Sequence, residues 1–204
     1  ATDYARLYQL TVAGGVVTAV LDSRFDSGGL LNGSPARNNF SVSAQTPAAA
    51  TRTYIVGSAL VVPVGKLKIG SIFKWRFNFT KTAAGSAAST FDVCVGTAGT
   101  TADTARLSFT KPAGTAAADE GWIEIIATCR GPLSASGIFV GEFTMIHNLA
   151  STGHATIPCV VVNNVSATFD VTTAGLIVGL CITSGASDAI TIEMVQGEAL
   201  NLGW

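Results

Sequence analysis

Charge is what this 204-residue chain has least of: Asp, Glu, Lys and Arg make up 12% of it, about half of the roughly 25% usual for a soluble domain. Hydrophobic residues make up 48% and mean hydropathy is +0.45. A surface so poor in charge belongs either in a membrane or against other protein. The chain also lacks the run of about 20 apolar residues that a spanning helix needs; every such window contains Gly, Thr, Asn or a charge, and the best stretch, Leu176 to Ile182, is too short. The aromatic residues do not bracket the strands as the girdles of a membrane barrel would. No membrane partner is expected. The opening ATDYARLYQL has no basic-then-apolar leader, so the chain reads as made in the cytoplasm and trimmed of its initiator Met.

Motifs that carry chemistry are equally scarce. Cys94, Cys129, Cys159 and Cys181 form no CxxC pair, and three of them sit in apolar strand patterns where a thiol acts as a small hydrophobe. Free thiols are therefore expected rather than disulfides. With His147 and His154 the only imidazoles, no zinc-ligand spacing arises, and neither a metal nor a cofactor is expected. There is no GxSxG elbow, and GTAGT is followed by neither a helix nor the Lys-Ser/Thr pair of a phosphate loop. Glu124 and Glu142 fall in successive expected strands and would form a glycosidase-type pair if they converged. Glu124 shares its face with Thr128 and Arg130, however, which reads as a solvent face. A triad of His147, Asp170 and a serine has no spacing to support it. Asp103, and Asp119 with Glu120, stand at loop tips where they either hold calcium or cap turns through the backbone, and a lone Asp in such a loop usually caps. No enzyme is expected.

What the sequence does contain is strands. In GSIFKWRFNFT the large residues Phe73, Trp75, Phe77 and Phe79 alternate with Lys74, Arg76 and Asn78, the period-two pattern of a half-buried strand. Ten such runs follow Tyr54: YIVGSALVVP, SIFKWRFNFT, STFDVCVGT, TARLSFT, GWIEIIATCR, GIFVGEFTMIHNL, IPCVVVNNV, ATFDVT, LIVGLCIT and AITIEMVQGEAL. Each is bounded by turn residues, and none reads as a helix. Long Ala/Gly/Thr connections favour crossing loops, so the expected fold is all-β, a jelly-roll-like β-sandwich of about 8–10 strands over residues 54–204. Residues 1–53 are richer in Gly, Ser, Asn, Ala and Pro. They bury too little apolar area to order alone and are expected to form an extended N-terminal arm or attachment segment.

Charge is unevenly spread. Up to Lys81 nine basic residues face three acidic ones, a net +6, and from Thr82 onward three face ten, a net −7. Such polarity steers one end of a protein onto an acidic surface or helps copies pack head to tail; scattered solvent-face charges would give it too. No basic cluster denser than Lys66 with Lys68, or Lys74 with Arg76, is present, and no nucleic-acid partner is expected. Among the tryptophans, Trp75 shares a face with three Phe and belongs in the core, Trp122 alternates with Glu124, and Trp204 ends the chain. Trp204 either anchors on a neighbouring subunit or shell or folds back on its own sandwich.

The run from Arg52 to Ile125, with its TKTAAG loop, TFDVCVGT strand, TADTAR turn and TAAAD loop, resembles virion structural proteins of tailed bacteriophages, and the resemblance extends over roughly residues 52–198. It implies a jelly-roll subunit that forms a homotrimer on the virion exterior, as capsid cement, decoration or fibre material. Arg6, Arg24, Arg37 and Trp204 are then the expected contacts to the major capsid protein. The alternative is a receptor-binding tail-fibre or head-fibre module that recognises host saccharide through loop-tip Asn and aromatic residues. A tailspike-like glycosidase using Glu124 or Glu142 stands third.

Overall fold

A computed structural model describes residues 8–13, 16–22, 37–186 and 189–203. Its strands are β1 (Tyr8–Ala13), β2 (Val16–Asp22), β3 (Arg37–Ser41), β4 (Arg52–Tyr54), β5 (Leu60–Val61), β6 (Ile72–Lys81), β7 (Ser89–Gly96), β8 (Thr104–Lys111), β9 (Asp119–Cys129), β10 (Phe139–His147), β11 (Cys159–Val165), β12 (Ile177–Thr183) and β13 (Ile190–Leu200). β1 and β2 pair with each other. The other eleven form two antiparallel sheets packed as a sandwich, one of six strands in the order β11-β10-β9-β6-β13-β3 and one of five in the order β4-β12-β7-β8 with β5 also on β12. The chain crosses between the sheets several times, as jelly-roll-like connectivity requires.

Alternation builds the core. Phe73, Trp75, Phe77 and Phe79 of β6 are at most 1% exposed, as are Ile123, Ile125 and Ala127 of β9, while their neighbours point outward. Phe77 and Phe143 of the six-stranded sheet meet Phe91 of the other at ring-centroid distances of 5.6 Å each, and Phe109 meets Phe143 at 5.8 Å. Contacts of this kind contribute about 0.5–1.5 kcal/mol each beyond burial. The Trp75 indole N–H is satisfied inside the core by the Ser58 carbonyl at 2.7 Å. Gly197 of β13 lies over this ring, where a Cβ would stand 2.9 Å from its Cδ1.

Three features differ from the sequence expectation. Arg37–Ser41 lies within the expected arm and Arg52–Tyr54 spans its boundary, yet they pair with β13 and β12 respectively, so the sandwich takes in strands before Tyr54. Each is an edge strand whose backbone partner compensates for a side-chain pattern too polar to signal a strand. YIVGSALVVP is interrupted at Gly57, which has φ +86, and only Leu60–Val61 pairs beyond it. ATFDVT is not a strand: Phe169 makes an isolated bridge to Gly137, and Asp170 turns the chain by accepting the backbone N–H and hydroxyl of Thr172 at 2.8 and 2.6 Å.

Candidate functional site

The outward face of the six-stranded sheet gathers the side chains most able to contact a ligand. Register sets them in three rows. Phe40, Gln196, Arg76, Glu124, Thr144 and Val161 lie opposite one another across β3, β13, β6, β9, β10 and β11; Met194, Asn78, Trp122, Ile146 and Cys159 form the next row. The third runs Asn38, Glu198, Lys74, Ile126, Glu142 and Asn163. A bulge in β13 between Ile192 and Met194 adds one residue and turns Glu193 outward, where it accepts the Thr80 hydroxyl at 3.0 Å, the re-aiming that bulges bring about.

Two hollows lie on this face. One, of about 450 Å³, is lined by Asn38, Asn39, Phe40, Lys74, Arg76, Gln196 and Glu198, among others. The second, of about 510 Å³, is lined by Asn78, Glu120, Trp122, Ile146, Asn148 and Glu193, among others. Between them the Arg76 guanidinium stacks 4.6 Å from the centre of the Trp122 ring. Lys74 pairs with Glu124 at 3.0 Å. Both groups are partly exposed, so the pair contributes at most about 1 kcal/mol.

A buried polar cluster closes one end of the sandwich. Asp119 Oδ2 lies 2.7 Å from Nδ1 of His147, whose Nε2 lies 2.6 Å from the Ile157 carbonyl. Asp119 also accepts the backbone N–H groups of Glu120 and His154 at 2.9 Å each. Burial would raise the pKa of this carboxyl, but the amides of His154 and Glu120 and the His147 ring outweigh it and hold the pKa below the usual carboxylate value. His154 packs on Phe79 with ring centroids 3.9 Å apart, neither of its ring nitrogens has a hydrogen-bond partner among the described residues, and burial pushes its pKa down to about 3. Asp119 and His147 direct their polar atoms at each other and at backbone, which braces this end of the sandwich.

The candidates read from sequence are placed as follows. Glu124 and Glu142 share the outward face but are diagonal, with Ile126 directly opposite Glu142 and Thr144 directly opposite Glu124. His147 meets Asp119 and not Asp170. Asp103 accepts the backbone N–H groups of Ala98 and Gly99 at 3.0 and 2.8 Å, the capping role of a loop Asp. Among the described residues no group of three His, Cys, Asp or Glu side chains is placed to hold a metal. Cys94, Cys129 and Cys181 are buried and Cys159 is exposed. Arg37 is exposed at the start of β3, whereas Arg6, Arg24 and Trp204 lie outside the described residues. Trp75 is in the core, as its alternation indicates.

Apolar side chains also stand in solvent on both flanks of the sandwich. Val42, Val56, Val61 and Val64 are 74%, 64%, 55% and 69% exposed toward the β3 and β5 side, and Ile157, Val161 and Val165 are 53%, 61% and 48% exposed on and beside β11 at the other. Neither flank shows in the sequence as more than ordinary strand alternation.

No family model matches the sequence, and no curated protein matches it. Weak similarity exists to solved structures. A protein of unknown function from Shewanella oneidensis MR-1 is 11% identical, with 82% of this chain and 87% of that one covered and a TM-score of 0.33. The CBM2 module of the evolved Dit of Lactobacillus casei BL23 phage J-1 is 8% identical over 88% and 95% of the two chains, with a TM-score of 0.31. A legume lectin-like domain from Entamoeba histolytica is 8% identical over 78% and 89%, with a TM-score of 0.23.

Proposed function

We propose that this chain is a structural protein of a tailed-bacteriophage particle: a homotrimeric capsid cement or decoration protein that sits on the outer shell, contacts the major capsid protein and stabilises it. The observation that carries the reading is the pair of unlike apolar flanks, Val42, Val56, Val61 and Val64 on one side and Ile157, Val161 and Val165 on the other. Two different patches on opposite sides of one subunit make a head-to-tail contact, and such contacts close into rings when the rotation permits. The low charge of the chain, 12%, keeps the desolvation cost of that contact small. The resemblance over residues 52–198 supplies the phage setting.

Attachment to the shell is assigned to the N-terminal segment, with Arg6, Arg24 and Arg37 as its cations and Trp204 as a second anchor. Because Arg37–Ser41 and Arg52–Tyr54 pair into the sandwich, the test deletes residues 1–36, which removes the β1–β2 pair and leaves both sheets of the sandwich intact. The shortened protein should remain a folded trimer and fail to decorate purified capsids in a sedimentation assay; undiminished capsid binding would remove the arm from the account.

A further inference from the structure

We infer that the outward face of the six-stranded sheet is a binding site for a neutral, hydroxyl-rich oligosaccharide, seated across the Arg76–Trp122 stack. The site uses residues that the self-association flanks do not, and it stands whatever the oligomeric state of the chain.

Its chemistry rests on three kinds of group. The first is aromatic. Trp122 lines one hollow, and Phe40, 68% exposed on the same face, lines the other. Three strand spacings, about 14 Å, separate β3 from β9. The exposed Phe40 and the half-buried Trp122 offer apolar ring surface on one sheet face, and the C–H face of a sugar ring is apolar while its rim is not. Arg76 holds the indole from one side at 4.6 Å, which fixes the platform before any ligand arrives.

The second kind is the amide. Asn38 and Gln196 border the Phe40 hollow, and Asn78 and Asn148 border the Trp122 hollow. Each amide donates and accepts, which suits vicinal hydroxyls that do both. Asn39 is not among them, because its side chain is taken by the Ala59 carbonyl and the Phe40 N–H.

The third is charge, and it selects the ligand class. Glu120, Glu124, Glu142, Glu193 and Glu198 face outward here against Lys74 and Arg76, and Lys74 is already paired with Glu124. The resulting negative field repels polyanions such as acidic glycans or nucleic acid, while carboxylates accept hydroxyl protons well. The sequence reading placed saccharide recognition at loop tips; the sheet face carries it instead, because only pairing of β3, β13, β6 and β9 brings these residues together.

The test uses the intact chain on immobilised neutral glycans (dextran, galactomannan and N-acetylglucosamine oligomers) beside acidic ones (hyaluronan and polysialic acid), with Trp122→Ala, Phe40→Ala and Trp122→Phe as variants. Retention on at least one neutral glycan is expected, weakened tenfold or more by Trp122→Ala and by Phe40→Ala, with partial recovery in Trp122→Phe and unchanged circular dichroism in all three. Absence of retention on every neutral probe at millimolar ligand, retention on the acidic probes alone, or full retention by both alanine variants would each overturn the inference. A trimer that fails this test leaves the structural role standing, and a monomer that passes it leaves the glycan site standing.

Discussion

Asp119 Oδ2 and Nδ1 of His147 lie 2.7 Å apart with both side chains fully shielded from solvent, and the same carboxylate oxygen accepts the His154 backbone N–H. Removing an acceptor from a buried hydrogen-bonded cluster leaves its donors unsatisfied. Asp119→Asn leaves fewer acceptors for the His147 ring and the two backbone N–H groups and should therefore cost about 1–3 kcal/mol, read as a lowered urea midpoint at pH 7; a loss below about 0.5 kcal/mol would show that the cluster contributes little.

The same cluster makes the fold acid-sensitive. His154 has its pKa pushed from 6.5 down to about 3 by burial, so below 6.5 the unfolded chain takes up a proton that the folded chain refuses. Stability is whole above 6.5 and falls as pH drops toward 3, by on the order of 3 kcal/mol at pH 4. Asp119, held below the usual carboxylate value, acts in the same direction at lower pH, its contribution being lost as pH falls through its folded value. The urea midpoint should decline steadily between pH 7 and pH 4. His154→Phe should flatten that decline, since the ring packs on Phe79 and its nitrogens have no partner among the described residues; an equal decline in the variant would remove His154 as its source.

Gly153 makes the cluster possible. Its φ is +87, and a Cβ there would stand 2.0 Å from Asp119 Oδ2, so both backbone and space exclude a side chain. Gly153→Ala should cost at least about 2 kcal/mol and lower the melting temperature accordingly. A melting temperature within a degree of the parent would contradict the packing described.

Trp75→Phe keeps most of the apolar volume but removes the N–H that reaches the Ser58 carbonyl at 2.7 Å. The expected loss is about 1–3 kcal/mol, larger than the apolar difference alone implies. Equilibrium unfolding would detect it, and a neutral result would mean that water takes over the carbonyl.

Much of this fold is legible in the chain because alternation is a local property. Phe73, Trp75, Phe77 and Phe79 mark one buried face whatever β6 pairs with, and the same holds for Ile123 and Ile125. Arg37–Ser41 escapes such reading because RNNFS has little strand character and depends on the edge of β13. ATFDVT misleads in the opposite way: its apolar residues suit a strand, yet Asp170 and Thr172 close a turn within it. The outward site is hidden for a different reason. Arg76 and Trp122 lie 46 positions apart in the chain, and Phe40 is as far again from Arg76 in pairing order as one intervening strand. Alternation says which way each points but not which strands become neighbours. The His147 partner is obscured likewise: both Asp119 and Asp170 are available in sequence, and only the β9–β10 register selects the first.

The self-association flanks yield to surface substitution. Val56→Glu and Val165→Glu replace side chains that are 64% and 48% exposed, so neither should unfold the subunit, and each should break the ring by placing an unpaired charge in the contact. Folded monomers in sedimentation velocity are the expected result. Trimers that persist in both variants would move the contact elsewhere.

The central claim, that the chain works as a self-associating structural subunit, is tested most directly by the solution mass of the unmodified protein. Light scattering coupled to size exclusion at micromolar concentration should give three times the 20.8 kDa chain mass. A single peak at 20.8 kDa that persists as concentration rises would contradict it.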